Sequence, residues 1–268
     1  MSFSIAGKTA IVTGAANGIG LAIARHFIDK GANVMFVDMD EARLEDQVGE
    51  ETKNEGRLRM FAGDLRQKLT IANLLSATMD AFDRVDILVN ASRQIAISDP
   101  LCVGDDEVEA LLQQNLLTSL RLSQMTAKRM IAEAEKTGHQ GSAGVIVNLS
   151  SIAAQRTQPG LLGYSISCAA LDQMTRSMAI ELAPRAIRVN AVAFASVMSA
   201  SLQAALKDNP DYRTAITEGT PLGRIAAASE LVETVQYLAS DASAFMTGQI
   251  LTLDGGRSLL DRVTAPAH

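Results

Sequence analysis

The chain has 268 residues, 47% of them hydrophobic and 20% charged, a length that fits one large α/β domain or two small ones and a composition that excludes disordered and fibrous classes. A formal charge of −6 and a pI near 5.2 argue against a nucleic-acid or acidic-lipid partner. Two cysteines, Cys102 and Cys168, cannot build a disulfide framework, MSFSIAGKTAIV lacks signal-peptide character, and no stretch nears the ~20 apolar residues of a membrane helix, so a cytoplasmic protein is expected.

In chain order, strands are predicted at residues 9–13 (TAIVT), 33–38 (NVMFVD), 86–90 (DILVN), 144–149 (GVIVNL), 188–193 (RVNAVA) and 250–254 (ILTLD). These runs are rich in Ile, Val and Leu with little alternation, which suits strands buried on both faces of a parallel sheet. Helical patterns fall between them at 18–30, 41–49, 70–82, 105–136, 163–183 and 229–240. Strand–helix alternation at this spacing predicts βαβ units in one α/β domain spanning 1–268, a doubly wound parallel sheet flanked by helices. The polar run 137–143 reads as a loop. Residues 195–224 read as an irregular lid with a helical piece near 199–207.

The first strand runs directly into Thr13-Gly14-Ala15-Ala16-Asn17-Gly18-Ile19-Gly20 and then into a helix. Gly14 suits a tight strand exit, Gly18 close approach of backbone to a pyrophosphate, and Gly20 close packing of helix on sheet. The helix N-terminus offers free N–H groups and partial positive charge to phosphate. The spacing is G-x-x-x-G-x-G; glycines also serve ordinary turns, but strand, turn and helix stand here in the order a Rossmann-type dinucleotide site needs. The second strand ends at Asp38, 24 residues after Gly14. A carboxylate there accepts hydrogen bonds from ribose hydroxyls and repels a 2′-phosphate, which favours NAD over NADP; the bland alternative is a turn cap.

With these residues in view, the sequence resembles the short-chain dehydrogenase/reductase family along almost its whole length. TGAANGIG matches the cofactor turn and Gly63-Asp64-Leu65 the adenine-contacting Asp with its neighbour. Asn115 in QQNLLTS matches the Asn of the long fourth helix. Asn148-Leu149-Ser150-Ser151 matches the strand bearing the catalytic Ser, with Tyr164 13 residues later. Arg188-Val189-Asn190 and Thr247 through Gly256 complete the pattern. In its C-terminal third the look is that of bacterial hydroxysteroid dehydrogenases and ketoacyl reductases. The resemblance implies that Tyr164 acts as acid or base on the substrate oxygen, that Ser151 hydrogen-bonds the same oxygen, and that Asn115 holds a relay water. It implies cofactor contacts at Gly14, Asn17, Gly18, Ile19, Gly20, Asp38, Asp64, Leu65, Asn90, Val197 and Ser199. It also implies a homotetramer or dimer built on the long helices 105–136 and 163–183 and the C-terminal strand.

Three positions depart from the family. Where it carries a lysine four residues after the tyrosine, this chain has Cys168, in Tyr164-Ser165-Ile166-Ser167-Cys168. A free tyrosine titrates at about pH 10, and a thiol cannot lower that as an ammonium does. Losing an opposite charge worth about 1–3 pKa units predicts a rate deficit of roughly 10 to 10³. Asn90-Ala91-Ser92-Arg93 stands for Asn-Asn-Ala-Gly, so the Arg93 guanidinium points to solvent, blocks the cleft, lies along the cofactor, or places its charge where the lysine's would be. Phe194-Ala195 stands for Pro-Gly.

The remaining candidates have plain explanations. His26, His139 and His268 show no metal-ligand spacing, and no metal site is expected. Asp105-Asp106-Glu107 complements a helix dipole, and the helical Met residues suit packing. Val197, Met198, Leu202, Ala205, Leu206 and Ile216 give the lid an apolar face, either for an apolar carbonyl or alcohol substrate or for ordinary helix packing. Two readings stand: an NAD(H)-dependent oxidoreductase of alcohols or ketones with weak or altered activity, and a non-catalytic NAD(H)-binding protein that senses the nucleotide or acts through a partner.

Overall fold

Runs of Val, Ile and Leu with no room for polar alternation become the centre of a parallel sheet. A computed structural model describes residues 2–52, 56–104, 107–138 and 141–261. Among the described residues seven strands pair, all parallel, in the order β3-β2-β1-β4-β5-β6-β7. They are β1 (Thr9–Thr13), β2 (Asn33–Asp38), β3 (Leu58–Ala62), β4 (Ile87–Asn90), β5 (Gly144–Ser151), β6 (Ile187–Phe194) and β7 (Ile250–Leu253). All residues of β1, β4, β5 and β6 are buried, the pattern of strands covered on both faces.

The helices are α1 (Gly18–Asp29), α2 (41–52), α3 (Lys68–Phe82), α4 (108–137), α5 (Leu162–Leu182), α6 (Ala200–Asp208), α7 (Asp211–Glu218) and α8 (Ala228–Ala239). One face of the sheet packs Val12, Phe36 and Val147 against Ile23 and Phe27 of α1 and Leu231 and Val235 of α8. The other packs Ile11, Leu88 and Ile146 against Leu74 of α3 and Leu122 and Met130 of α4. Adjacent residues such as Ile11 and Val12 therefore serve opposite cores, as the two-residue period of a strand demands. A third, small cluster contains Leu111, Ala153, Tyr164 and Cys168, and lies by the site described below.

The expected α/β sheet is present, with two additions. Strand β3 is not among the predicted strands: LRMFA mixes Arg59 among apolar residues, and it pairs only with β2, so four of its five residues are half-buried rather than buried. The lid holds a second helix, α7, made mostly of polar residues with no buried face, which leaves no apolar period to read. Asp105 and Asp106, His139 and His268 lie outside the described residues.

Chain order in the sheet reverses beside β1. From there the chain builds outward through β2 and β3, then returns to β4 on the other side. The crevice outside the carboxyl ends of strands at such a reversal is where doubly wound sheets bind ligands.

Candidate active site

The glycine turn closes over that crevice. Gly14 adopts φ +67°, and a Cβ there would meet Ser92 Cα at 2.9 Å, so both conformation and space require glycine. A Cβ on Gly20 would collide with the Gly14 carbonyl, which is how α1 packs so tightly on the turn. Gly18 has open space where its Cβ would be but sits at φ +56°. Asn17 occupies the N-cap position of α1 without a side-chain cap bond, leaving first-turn N–H groups available to an anion. Ile19 is half-buried behind the turn. Thr13 Oγ1 accepts from Ala91 N and Ser92 N, both at 3.0 Å, and so ties the exit of β1 to that of β4.

On one side of this turn, Gly14, Asp38, Gly63, Asp64, Leu65 and Ser92 line a narrow crevice. Asp38 ends β2 and accepts from Ala16 N at 3.1 Å and Asp40 N at 3.2 Å, so its carboxylate braces the glycine turn from within the crevice. Asp64 is held in a two-pronged ion pair by Arg66, with Nε and Nη2 at 2.9 and 2.8 Å. That guanidinium keeps the Asp64 carboxyl below the usual carboxylate range. Arg66 itself lines the crevice, a contribution absent from the sequence reading.

On the other side, Arg93, Ser151, Arg156, Tyr164, Ser196 and Arg257 are among the residues lining a larger cleft of about 1040 Å³. Ser151 ends β5, accepts from Ala153 N at 3.2 Å, and interacts through its hydroxyl with Tyr164. Tyr164 projects from the first turn of α5 and is 3% exposed. Burial pushes the Tyr164 hydroxyl above its ordinary pKa; Arg93 pulls the other way, Cys168 adds to the rise, and Ser151 opposes it. Cys168 follows one helical turn later, is 4% exposed, and has its thiol pKa raised by burial, so it is a neutral thiol near pH 7.

Arg93 does not extend into solvent but lies half-buried in the wall of the large cleft. Its guanidinium carbon lies 4.2 Å from the Phe194 ring centroid and 5.9 Å from that of Tyr164, and Nη1 donates to the Ser150 carbonyl at 3.3 Å. The register explains the grouping, because Phe194 of β6 pairs directly with Ser151 of β5. All three departures from the family pattern are thus linked through Arg93, which stacks on Phe194 and whose charge acts on Tyr164 and Cys168.

The other expected residues have these surroundings. Asn115, 4% exposed, sits in a π-helical turn of α4, accepts from Gln94 N at 2.8 Å, and donates to Gln94 O and Ser167 Oγ at 2.9 and 3.0 Å. With Gln114, whose side chain donates to Ser92 Oγ at 3.1 Å, it clamps the segment that carries Arg93. The Asn90 amide donates to Asn148 Oδ1 and Ser123 Oγ in a buried ladder. Val197 is buried and bridges to Ala226, and Ser199 Oγ caps α6 by accepting from Leu202 N at 3.2 Å. From the lid, Ala195, Ser196 and Gly219 line the large cleft; Val197, Met198, Leu202, Ala205, Leu206 and Ile216 do not. His26 bonds Gln236 at 2.7 Å.

Residues 14–258 match the family model described as enoyl-(acyl carrier protein) reductase. L-xylulose reductase of Bos taurus is 36% identical over 259 residues, 96% of this chain and 98% of the relative. The chain belongs to the short-chain dehydrogenase/reductase family. This short-chain dehydrogenase/reductase is accordingly an oxidoreductase by class, and two solved members show how closely its backbone follows theirs. A 7α-hydroxysteroid dehydrogenase solved with NADH and 7-oxo glycochenodeoxycholic acid superposes with a TM-score of 0.85 at 27% identity, covering 95% of this chain and 96% of that one. A gluconate 5-dehydrogenase from Burkholderia cenocepacia J2315, solved with NADP and tartrate, gives 0.86 at 26% identity over 97% and 98%.

Proposed function

We propose that the chain is an NAD(H)-dependent oxidoreductase interconverting an alcohol and a ketone, slowed by Cys168 at the position of an ammonium. The observation that carries this reading is the placement of Tyr164 and Ser151 on one cleft wall with the Arg93 cation over the tyrosine ring. The glycine turn, the uncapped start of α1 and Asp38 fit a dinucleotide. A nicotinamide cofactor bound there would supply or take up the hydride. Tyr164 then gives its hydroxyl proton to the forming alkoxide in reduction, or accepts the alcohol proton in oxidation. Ser151 donates to the same oxygen and orients it. Asn115 acts through position, by holding Gln94 and hence Arg93.

Because burial keeps Tyr164 neutral near pH 7, it is better prepared to donate a proton than to accept one, so ketone reduction is favoured over oxidation there. Asp38 favours NAD: its carboxylate stands at the end of β2, and the nearby Arg66 charge is taken up by Asp64. Of two similar proteins, one was solved with NADH and another with NADP. A cytoplasmic location suits the two free thiols, Cys102 exposed and Cys168 buried. Assembly through α4, α5 and β7 suits the exposed Ile166 and Ile180 of α5, and sedimentation would show a dimer or tetramer.

The Arg93–Phe194 stack at 4.2 Å favours a second reading, a non-catalytic NAD(H)-binding sensor or partner protein, because it fills space beside Tyr164. Thermal stabilisation by NADH, followed by a carbonyl and alcohol panel on wild type, Cys168→Lys and Arg93→Ala, separates the two. Wild-type turnover that the lysine raises and Arg93→Ala lowers supports the enzyme. NADH binding with turnover only in Cys168→Lys supports the sensor.

A further inference from the structure

The cleft over Tyr164 is lined mainly by positive charge although the chain as a whole is negative. The molecule carries a formal −6, yet three arginines, Arg93, Arg156 and Arg257, line this cleft against a single carboxylate, Asp261, among the described residues. They come from separate parts of the fold: the exit of β4, the loop after β5, and the segment after β7. Each has few partners. Arg93 donates to the Ser150 carbonyl and Arg257 to Ser196 Oγ, both at 3.3 Å, and Arg156 donates to the Ser258 carbonyl. Among the described residues none of the three forms an ion pair, although the Arg257 charge also acts on Asp254. A guanidinium has five N–H donors, so most of this donor capacity faces the cleft or water.

We propose that this cleft selects an alcohol or ketone bearing an anionic headgroup, a carboxylate or a phosphate, bound by Arg156 and Arg257 while Arg93 marks the reacting end beside Tyr164. The proposal rests on the reading of Tyr164 and Ser151 as the groups at the reacting oxygen. Planar guanidinium groups match both oxyanions with paired, charge-assisted hydrogen bonds. A positive inlet on a negatively charged protein also concentrates anions at its mouth. Ile95, Ile152, Leu161 and Leu259 supply apolar wall for a short carbon body, and about 1040 Å³ exceeds what such a body needs, leaving room for headgroup and cofactor end together.

The test is titration calorimetry of the full chain with two matched pairs: 3-hydroxybutyrate against its methyl ester, and glycerol 3-phosphate against glycerol. At least one anion is expected to bind about 10- to 100-fold tighter than its neutral partner. Arg156→Gln combined with Arg257→Gln should remove most of that preference, and the doubly substituted Lys variant should keep more of it; unchanged thermal melting shows that each variant is folded. Which anion wins assigns the headgroup. Equal binding of acid and neutral partner, no binding of either anion, or full affinity in the folded Gln double variant overturns the proposal. Turnover is not needed for this readout: anion binding without any turnover would count against the oxidoreductase reading alone, and turnover of neutral alcohols without anion preference against this inference alone.

Discussion

Tyr164, Arg93, Phe194 and Cys168 have to be understood as one group. Their proximity is hidden in sequence, where they span a hundred residues, because it depends on the pairing of Phe194 with Ser151 and on the direction the Arg93 side chain takes. A guanidinium 4.2 Å from an aromatic centroid contributes about 0.5–2 kcal/mol, enough to hold Arg93 over the ring instead of in solvent. Its charge opposes the effect of burial on Tyr164 without outweighing it. Arg93→Ala is therefore expected to push the Tyr164 pKa further up and to move the alkaline rise of the oxidation rate to higher pH, measured by steady-state rates across pH. At the crevice beside the glycine turn, Asp38→Ala tests the proposed preference for NAD, since it removes the carboxylate proposed to repel a 2′-phosphate. NADPH affinity should rise about tenfold relative to NADH, read by fluorescence titration; an unchanged ratio would mean that Asp38 only braces the glycine turn.

At the scale of elements, the strand–turn–helix around the glycine turn is legible in the sequence, because glycine sterics and strand composition leave so few alternatives there. Asn115 and Asn90 were legible as landmarks but not as to what they touch. Asn115 fixes the strap after β4 through Gln94, and Asn90 joins a buried chain through Asn148 to Thr175 that links β4, β5 and α5. Asn148→Ala leaves the Asn90 amide and the Thr175 hydroxyl short of a partner in a dry interior. A loss of about 1–3 kcal/mol is expected in urea unfolding, and less than about 0.5 would show that the ladder is not energetically coupled. Strand β3 is not legible in the sequence because an edge strand buries too little to impose an apolar pattern.

Across the whole molecule, the Arg188-Val189-Asn190 motif is a structural clip. Arg188 is 9% exposed and donates to Ser243 Oγ and to the carbonyls of Leu238, Ser240 and Met246, while Asn190 donates to Met246 O and accepts from Gln249 N. These bonds hold the turn after α8 against β6 and so seat β7, whose following segment brings Arg257 into the cleft. Arg188→Met would orphan several acceptors; a loss of about 3 kcal/mol is expected in thermal unfolding, with the region 238–250 exchanging its amides first.

Tyr164 is proposed as the proton-handling group in a site where Cys168 stands in place of an ammonium. The most direct test of that role is the pH dependence of NADH formation from a turned-over alcohol in wild type, Cys168→Lys and Tyr164→Phe. The wild-type rate should climb without levelling below about pH 9, given a buried phenol whose free pKa is near 10. Cys168→Lys should level at lower pH and run about 10- to 10³-fold faster near neutrality, and Tyr164→Phe should abolish both. An unchanged profile in Cys168→Lys, or a rate that survives in Tyr164→Phe, would contradict it.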